Sequence, residues 1–133
     1  MRTIKTYKLI AILLFAIIMP RMTIASELEY QEVASEIIMN SLQEQQKNGF
    51  LKKMYRQLFF VPVWMHEKGL SVAANDLFAQ IQEDGTLDPN GKLSKDAILL
   101  QNEAKKIYTN NGSITQKIDL EFKISQLYEA YTN

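Results

Sequence analysis

The chain has 133 residues, of which 47% are apolar, and it carries 15 basic and 15 acidic residues. This length allows one domain, and the apolar share is sufficient to build a hydrophobic core. The chain has no cysteine, which excludes disulfide bonds and a thiol nucleophile. Its stability is therefore expected to come from packing.

Residues 1–26 have the pattern of an export signal. The basic segment MRTIKTYK precedes the apolar run LIAILLFAIIMP, and TIAS supplies small residues for cleavage after Ala25 or Ser26. A membrane-spanning helix needs about 20 apolar residues, so an uncleaved membrane anchor is the less favoured alternative. We therefore predict an exported, periplasmic protein whose mature domain is residues 27–133. It would contact the membrane only through an uncleaved signal segment.

The predicted mature domain is mildly acidic. Residues 1–26 hold four basic residues and no acid, so 11 basic and 15 acidic residues remain after them, a net charge of −4. A domain that binds nucleic acid is expected to carry a basic surface, and no run of Lys or Arg supplies one. Nucleic acid is therefore not a predicted partner.

The apolar spacing predicts an all-α fold, a small bundle of about five helices. The first helix would start at a capping box of Ser26 and Glu29 and end near Lys47. Its predicted buried side consists of Leu28, Val33, Ile37 and Leu42. The second helix carries two adjacent stripes with i, i+4 spacing, namely Phe50, Met54, Leu58 and Leu51, Tyr55, Phe59. Pro62 ends this region, because proline disfavours a helical residue before it and has no backbone N–H.

A short extended Pro-x-Trp segment separates the second helix from three further helices. Ser71 is predicted to cap the third helix, which ends at Gly85. The fourth opens at Ser94 and runs to Asn111-Gly112, and the fifth starts near Ser113 or Thr115. The predicted buried residues of these helices are Ala74, Leu77, Phe78, Ile81, Ile98, Leu100, Ala104, Ile107, Tyr108, Ile124, Leu127, Tyr128 and Tyr131.

Candidate chemistry is sparse. His66 is the only histidine, so it lacks the second ligand or nucleophile that a zinc site or a catalytic dyad needs. An EF-hand register over residues 86–97 places Thr86 and Ala97 at its two ends, where calcium ligands belong, so a turn over residues 88–91 is favoured. We predict no metal and no cofactor. Trp64 is predicted to be a buried anchor between the second and third helices, with His66 at the rim of the loop.

Residues 54–89, MYRQLFFVPVWMHEKGLSVAANDLFAQIQEDGTLDP, resemble a known domain. Its pattern is a Tyr-bearing helix, a Pro-x-Trp element, an Ala- and Leu-rich helix and an Asp-Gly-Leu-x-Pro turn. The matching residues here are Tyr55, Pro62, Trp64, Leu77, Asp84, Gly85, Leu87 and Pro89, with Thr86 inserted in the turn. Residues 120–131, LEFKISQLYEAY, are similar to its Leu-Asp-x-x-Leu-Thr helix ending in Tyr. There Glu121 replaces Asp, Ser125 replaces Thr, and Tyr131 is the final tyrosine.

Together these segments resemble the N-terminal scaffold domain of the large exported L,D-transpeptidases of bacterial peptidoglycan. In those enzymes a following catalytic domain carries a His and a Ser-x-Gly-Cys-type motif, whose cysteine is acylated by the tetrapeptide stem. This chain has no cysteine, so the resemblance implies a scaffold without that activity. We predict a non-enzymatic, scaffold-like envelope protein whose partner is an L,D-transpeptidase or peptidoglycan.

Three alternatives stay open at this stage. A remnant of a longer L,D-transpeptidase, truncated at the C-terminus of the domain, would have the same sequence. A periplasmic peptide- or glycan-binding module would use a groove lined by Trp64 and Tyr55. An enzyme would use Glu83, Asp84 and Asp88, which needs two carboxylates at a fixed working separation.

Overall fold

The computed structural model describes residues 25–44 and 49–133. They form five α-helices: α1 (Ala25–Glu44), α2 (Gly49–Gln57), α3 (Val72–Glu83), α4 (Lys92–Thr109) and α5 (Ile114–Thr132). The all-α prediction is confirmed, and the extended Pro-x-Trp segment lies between α2 and α3 as expected. Most of the predicted signal peptide, residues 1–24, and the predicted end of the first helix near Lys47 lie outside the described residues.

The buried side of α1 differs from the prediction. The residues that face the core are spaced four apart: Tyr30, Ala34, Ile38 and Leu42. Leu28 and Val33 are 42% and 49% exposed, because the stripe that faces the core includes a tyrosine and a small alanine in place of these aliphatic side chains. The predicted capping box is wrong as well, since the helix already includes Ala25 and Ser26 therefore lies inside it.

Helix α2 ends earlier than its apolar stripes suggested. Leu51 and Tyr55 are buried as predicted, but Phe59 is 81% exposed. Phe59 and Phe60 have φ values of 56° and 61°, and the Phe60 N–H donates to the carbonyl of Tyr55 at 2.7 Å. This left-handed reversal closes the last carbonyls of the helix, a role that glycine usually has. It turns Phe59 away from the core.

The extended segment is held in a tight reversal by backbone bonds. Met65 pairs with Leu70, the His66 N–H donates to the Gly69 carbonyl at 2.9 Å, and the Ser71 N–H donates to Trp64 at 2.9 Å. Ser71 is the N-cap of α3, as predicted, and its hydroxyl also donates to a carbonyl in the extended segment. Ser71 therefore joins the segment to the start of α3.

The start of α4 was predicted three residues late. Its N-cap is Gly91, and Ser94 lies inside the helix, where its buried hydroxyl donates to the Asp88 carbonyl at 3.0 Å. The predicted turn over residues 88–91 is confirmed, because the Gly91 N–H donates to Asp88 at 2.9 Å. Ile98 is 50% exposed instead of buried. Ser113 caps α5 through a capping box with Gln116.

Gly112 is expected to tolerate no side chain. A Cβ atom there would lie 2.7 Å from the Ile107 Cγ2 and 2.9 Å from the Gln116 Oε1, which belongs to the capping box of α5. Gly112→Ala should therefore lower the free energy of unfolding by about 1–3 kcal/mol, measured by urea unfolding. Gly85→Ala is the matched control, because nothing lies within 4 Å of its Cβ position. A loss at Gly85 equal to that at Gly112 would contradict the steric explanation.

The core contains residues from all five helices and the extended segment. Its largest fully buried side chains are Trp64, Tyr55, Tyr131, Phe78, Ile38, Leu42, Leu51, Met65, Leu77, Ile81 and Leu120. Four of these, Tyr55, Trp64, Leu77 and Tyr131, are residues that match the family pattern. Over residues 25–44 and 49–133, no helix has both the length and the apolar character needed to cross a membrane.

Candidate functional site

The carboxyl group of Glu121, on α5, is fully buried and accepts four hydrogen bonds. Its Oε1 accepts the backbone N–H groups of Trp64 and Met65, each at 2.9 Å. Its Oε2 accepts the Val63 N–H at 2.9 Å and the hydroxyl of Tyr55. Four donors match the acceptor sites of an ionised carboxylate. Glu121 thus fixes the extended segment and α2 onto α5.

Burial shifts the pKa values of both Glu121 and Tyr55. Burial raises the pKa of Glu121, and the hydrogen bonds from Tyr55 and the three backbone N–H groups oppose that rise. Burial raises the pKa of Tyr55 as well, and the nearby Glu121 charge adds to the rise. Tyr55 therefore keeps its phenolic proton over the physiological range and remains a donor.

Ser125 lies one turn after Glu121 and extends the cluster. Its Oγ lies 2.6 Å from the Tyr55 hydroxyl and accepts the indole N–H of Trp64 at 2.8 Å. The Trp64 ring also lies against Tyr128, with centroids 5.7 Å apart. We call Tyr55, Trp64, Glu121 and Ser125 the Glu121 cluster. The predicted burial of Trp64 is confirmed. The prediction placed its ring between the second and third helices, whereas its partners Ser125 and Tyr128 lie on α5.

A second polar layer surrounds His66 at the edge of the same loop. Glu27 on α1 accepts the Glu67 N–H at 2.8 Å through Oε2, and its Oε1 lies 3.9 Å from the His66 Nδ1. Tyr108 donates to the His66 carbonyl at 2.6 Å, and Lys117 donates to the Glu67 carbonyl at 2.7 Å. Three helices therefore hold this loop, and His66 lies half-buried at its rim as predicted.

His66 should make stability depend on pH in a defined direction. Burial lowers the pKa of His66 below its ordinary 6.5, and the Glu27 charge opposes that shift. The neutral form is favoured in the fold, so this contribution is complete above 6.5 and is lost as the pH falls through the lowered pKa. From about pH 7 to about pH 5, wild type should lose more stability than His66→Gln. Urea unfolding across that range tests this, and equal slopes for the two proteins would contradict it.

The other residues that match the family pattern are not part of the Glu121 cluster. They make a separate hydrogen bond, pack in the core or lie in the loop after α3. Tyr131, near the end of α5, donates its hydroxyl to the Asp84 Oδ2 at 2.8 Å, which links α5 to the end of α3. Pro62 and Leu77 are buried. Leu87 packs partly against the core, and Gly85 and Pro89 are exposed in the loop after α3.

Sequence reasoning missed two side chains of this second polar layer, Tyr30 and Lys117. Tyr30 donates to the Met65 carbonyl at 3.2 Å, and the Lys117 Nζ lies 5.4 Å from the ring centroids of both Tyr30 and Tyr108. The i, i+4 spacing of Tyr30 with Ala34 would have indicated that Tyr30 faces inward. No local pattern marks Lys117, whose partners lie on three other segments.

The acidic loop has a structural explanation. Asp84 accepts the Thr86 N–H at 2.9 Å and the Thr86 hydroxyl at 2.6 Å, in addition to the bond from Tyr131. Glu83 and Asp88 are exposed. Within the part of the chain that the structure describes, no group of three His, Cys, Asp or Glu side chains is placed to hold a metal ion. Trp64 and Tyr55 are both fully buried, so they do not line the groove that the alternative of a peptide- or glycan-binding module would use.

Comparison of the chain with protein-family models, with curated proteins and with solved structures finds no match. The resemblance to the L,D-transpeptidase scaffold domain therefore stays a prediction from the residues. A functional proposal depends on that resemblance and on the geometry of the Glu121 cluster.

Proposed function

We propose that the protein is a non-catalytic scaffold of the cell envelope that acts beside L,D-transpeptidases in peptidoglycan cross-linking. The observation that carries the proposal is the convergence of Tyr55, Trp64, Glu121 and Ser125 into one buried cluster. The two separate stretches that resemble the family's scaffold domain meet there. All four side chains are buried, so their role is to hold the helices and the extended segment in a fixed arrangement.

The bond between Asp84 and Tyr131 supports the same interpretation. Both residues belong to the resembling stretches, and they join the end of α3 to the end of α5. The Glu121 cluster and this bond therefore hold α5 against the rest of the domain at two points. A helix fixed at two points gives the domain a rigid outer surface, which suits a protein that acts by contact.

The residues of the chain support a role that does not use the catalytic mechanism of the L,D-transpeptidases. That mechanism needs a cysteine, and the sequence has none. The buried carboxylate of Glu121 is engaged by four donors and is fully removed from solvent. We therefore propose that the exported protein works through its surface, with an L,D-transpeptidase or the peptidoglycan as its partner.

Capture from cell envelopes tests this function. The full chain with a C-terminal affinity tag is expressed in the source cells, recovered from envelope extract, and incubated in parallel with purified peptidoglycan sacculi. Enrichment of an L,D-transpeptidase, identified by mass spectrometry, or retention on the sacculi is expected. Both should be weakened in Glu121→Gln, because that substitution is expected to destabilise the scaffold while leaving the outer surface unchanged in composition.

A tagged, exported helical domain of similar size and charge is the specificity control. Equal recovery of transpeptidase and sacculi by that control would show that the binding is unspecific. The proposal is wrong if the folded protein retains neither an L,D-transpeptidase nor sacculi.

A further inference from the structure

Helix α1 presents a strongly acidic outer face. The helix contains five glutamates and no basic residue. Four of the glutamates are exposed on the side opposite the core, and we call them the acidic face: Glu29, Glu32, Glu36 and Glu44. Leu28 and Val33, at its two edges, are two of the six large apolar side chains most exposed in the described residues. A strongly charged surface of this kind can select a partner of complementary charge.

Helix α2 presents the opposite charge beside it. It contains three basic residues and no acid, and we call these the basic face: Lys52, Lys53 and Arg56. Phe59 lies two residues after the end of α2 and is 81% exposed, held outward by a left-handed backbone that is unfavourable for L-residues. Strain that exposes an aromatic side chain is more readily explained by function than by stability.

The acidic face and the basic face are not paired with each other in the part of the chain that the structure describes. None of the ion pairs among the described residues involves either face. Yet α1 and α2 are neighbours: Met39, Leu42 and Gln43 of α1 line a shared groove of about 430 Å³. Its other side is formed by Lys52, Arg56 and Phe60. The groove therefore has Lys52 and Arg56 of the basic face on one side and the helix that carries the acidic face on the other.

We propose that this surface binds a second copy of the chain, with the acidic face of each copy against the basic face of the other. A two-fold axis makes both contacts at once, because a symmetric interface repeats every contact between two different patches. The exposed Phe59 and the edges of α1 are covered in that pair. An anionic lipid surface fits less well, since it would attract the basic face and repel the acidic face beside it. This inference is independent of the proposed function.

Cross-linking between two differently tagged full-length chains tests the arrangement. The natural chain has no cysteine, so each chain can carry one reactive thiol without background. One chain carries Asn40→Cys on α1 and the other Gln57→Cys on α2, both at exposed positions. A short bismaleimide added to cells that express both chains removes the strict geometry that a disulfide requires. A hetero-tagged, cross-linked dimer is expected.

Asn75→Cys on α3 paired with Asn102→Cys on α4 is the matched control, because both positions are exposed and lie outside the two faces. This pair should give little cross-linked dimer. Equal yields from the two pairs would overturn the proposal, since they would report crowding alone.

Charge reversal provides a second, independent test. Changing Lys52, Lys53 and Arg56 to Glu in the Gln57→Cys chain should lower the dimer yield about tenfold or more, because like charges would then face each other. Changing Glu29, Glu32 and Glu36 to Lys in the other chain alone should do the same. Combining the two reversed chains should restore the dimer. Failure of this rescue, with both chains as helical as wild type by circular dichroism, would overturn the proposal.

Discussion

Replacing Glu121 with glutamine is expected to lower the free energy of unfolding by about 3–5 kcal/mol. The carboxylate accepts two donors at each oxygen, including three backbone N–H groups. A glutamine side chain has one acceptor oxygen, so its NH₂ group must face two of these donors. Buried N–H groups would lose their partners, and the extended segment would lose its attachment to α5. Urea unfolding followed by circular dichroism measures the change.

Glu129→Gln is the matched control for that substitution. Glu129 lies on the same helix and is half-buried, but it is not part of the Glu121 cluster. Its replacement should change stability by less than about 0.5 kcal/mol. If Glu121→Gln is as stable as Glu129→Gln, the four hydrogen bonds of Glu121 do not stabilise the fold. Glu121→Asp keeps the carboxylate but shortens the side chain by one methylene. It therefore distinguishes the effect of the negative charge from the effect of side-chain length.

The helices could be predicted where capping residues and apolar spacing agree. Ser71 and Ser113 each cap a helix, and the residues that follow them carry regular apolar stripes. Prediction failed where a stripe depended on side chains that are not aliphatic. On α1 the stripe runs through Tyr30 and Ala34, and neither stands out by hydrophobicity. After α2, the left-handed reversal at Phe59 could not be predicted, because no glycine in the sequence indicates it.

The role of Glu121 was only partly accessible from the sequence. Glu121, Ile124, Ser125 and Tyr128 have the i, i+3, i+4, i+7 spacing of one helix face, and all four are buried. A glutamate on an apolar face indicates a buried partner, because an unpaired buried charge is strongly unfavourable. The partners themselves could not be identified, since the backbone N–H groups that bind Glu121 lie more than 50 residues earlier. Only folding brings them to α5.

Truncation of Trp64 to alanine is the second substitution expected to have a large effect. The side chain is fully buried, lies against Tyr128 and donates its indole N–H to Ser125. Its removal leaves a cavity and takes away a donor, so the free energy of unfolding should fall by about 3–5 kcal/mol. Because Trp64 is the only tryptophan, unfolding must be followed by circular dichroism instead of intrinsic fluorescence.

Two comparisons separate packing from hydrogen bonding at Trp64. Trp64→Phe keeps most of the ring contact and loses the hydrogen bond to Ser125. Its free energy of unfolding should therefore lie between those of wild type and Trp64→Ala. Phe59→Ala removes an aromatic ring that is 81% exposed, and its effect should stay below about 0.5 kcal/mol. A stability for Trp64→Ala close to that of Phe59→Ala would contradict the anchoring role. The opposite result would show that the extended segment is held by burial of its tryptophan as well as by the carboxylate of Glu121.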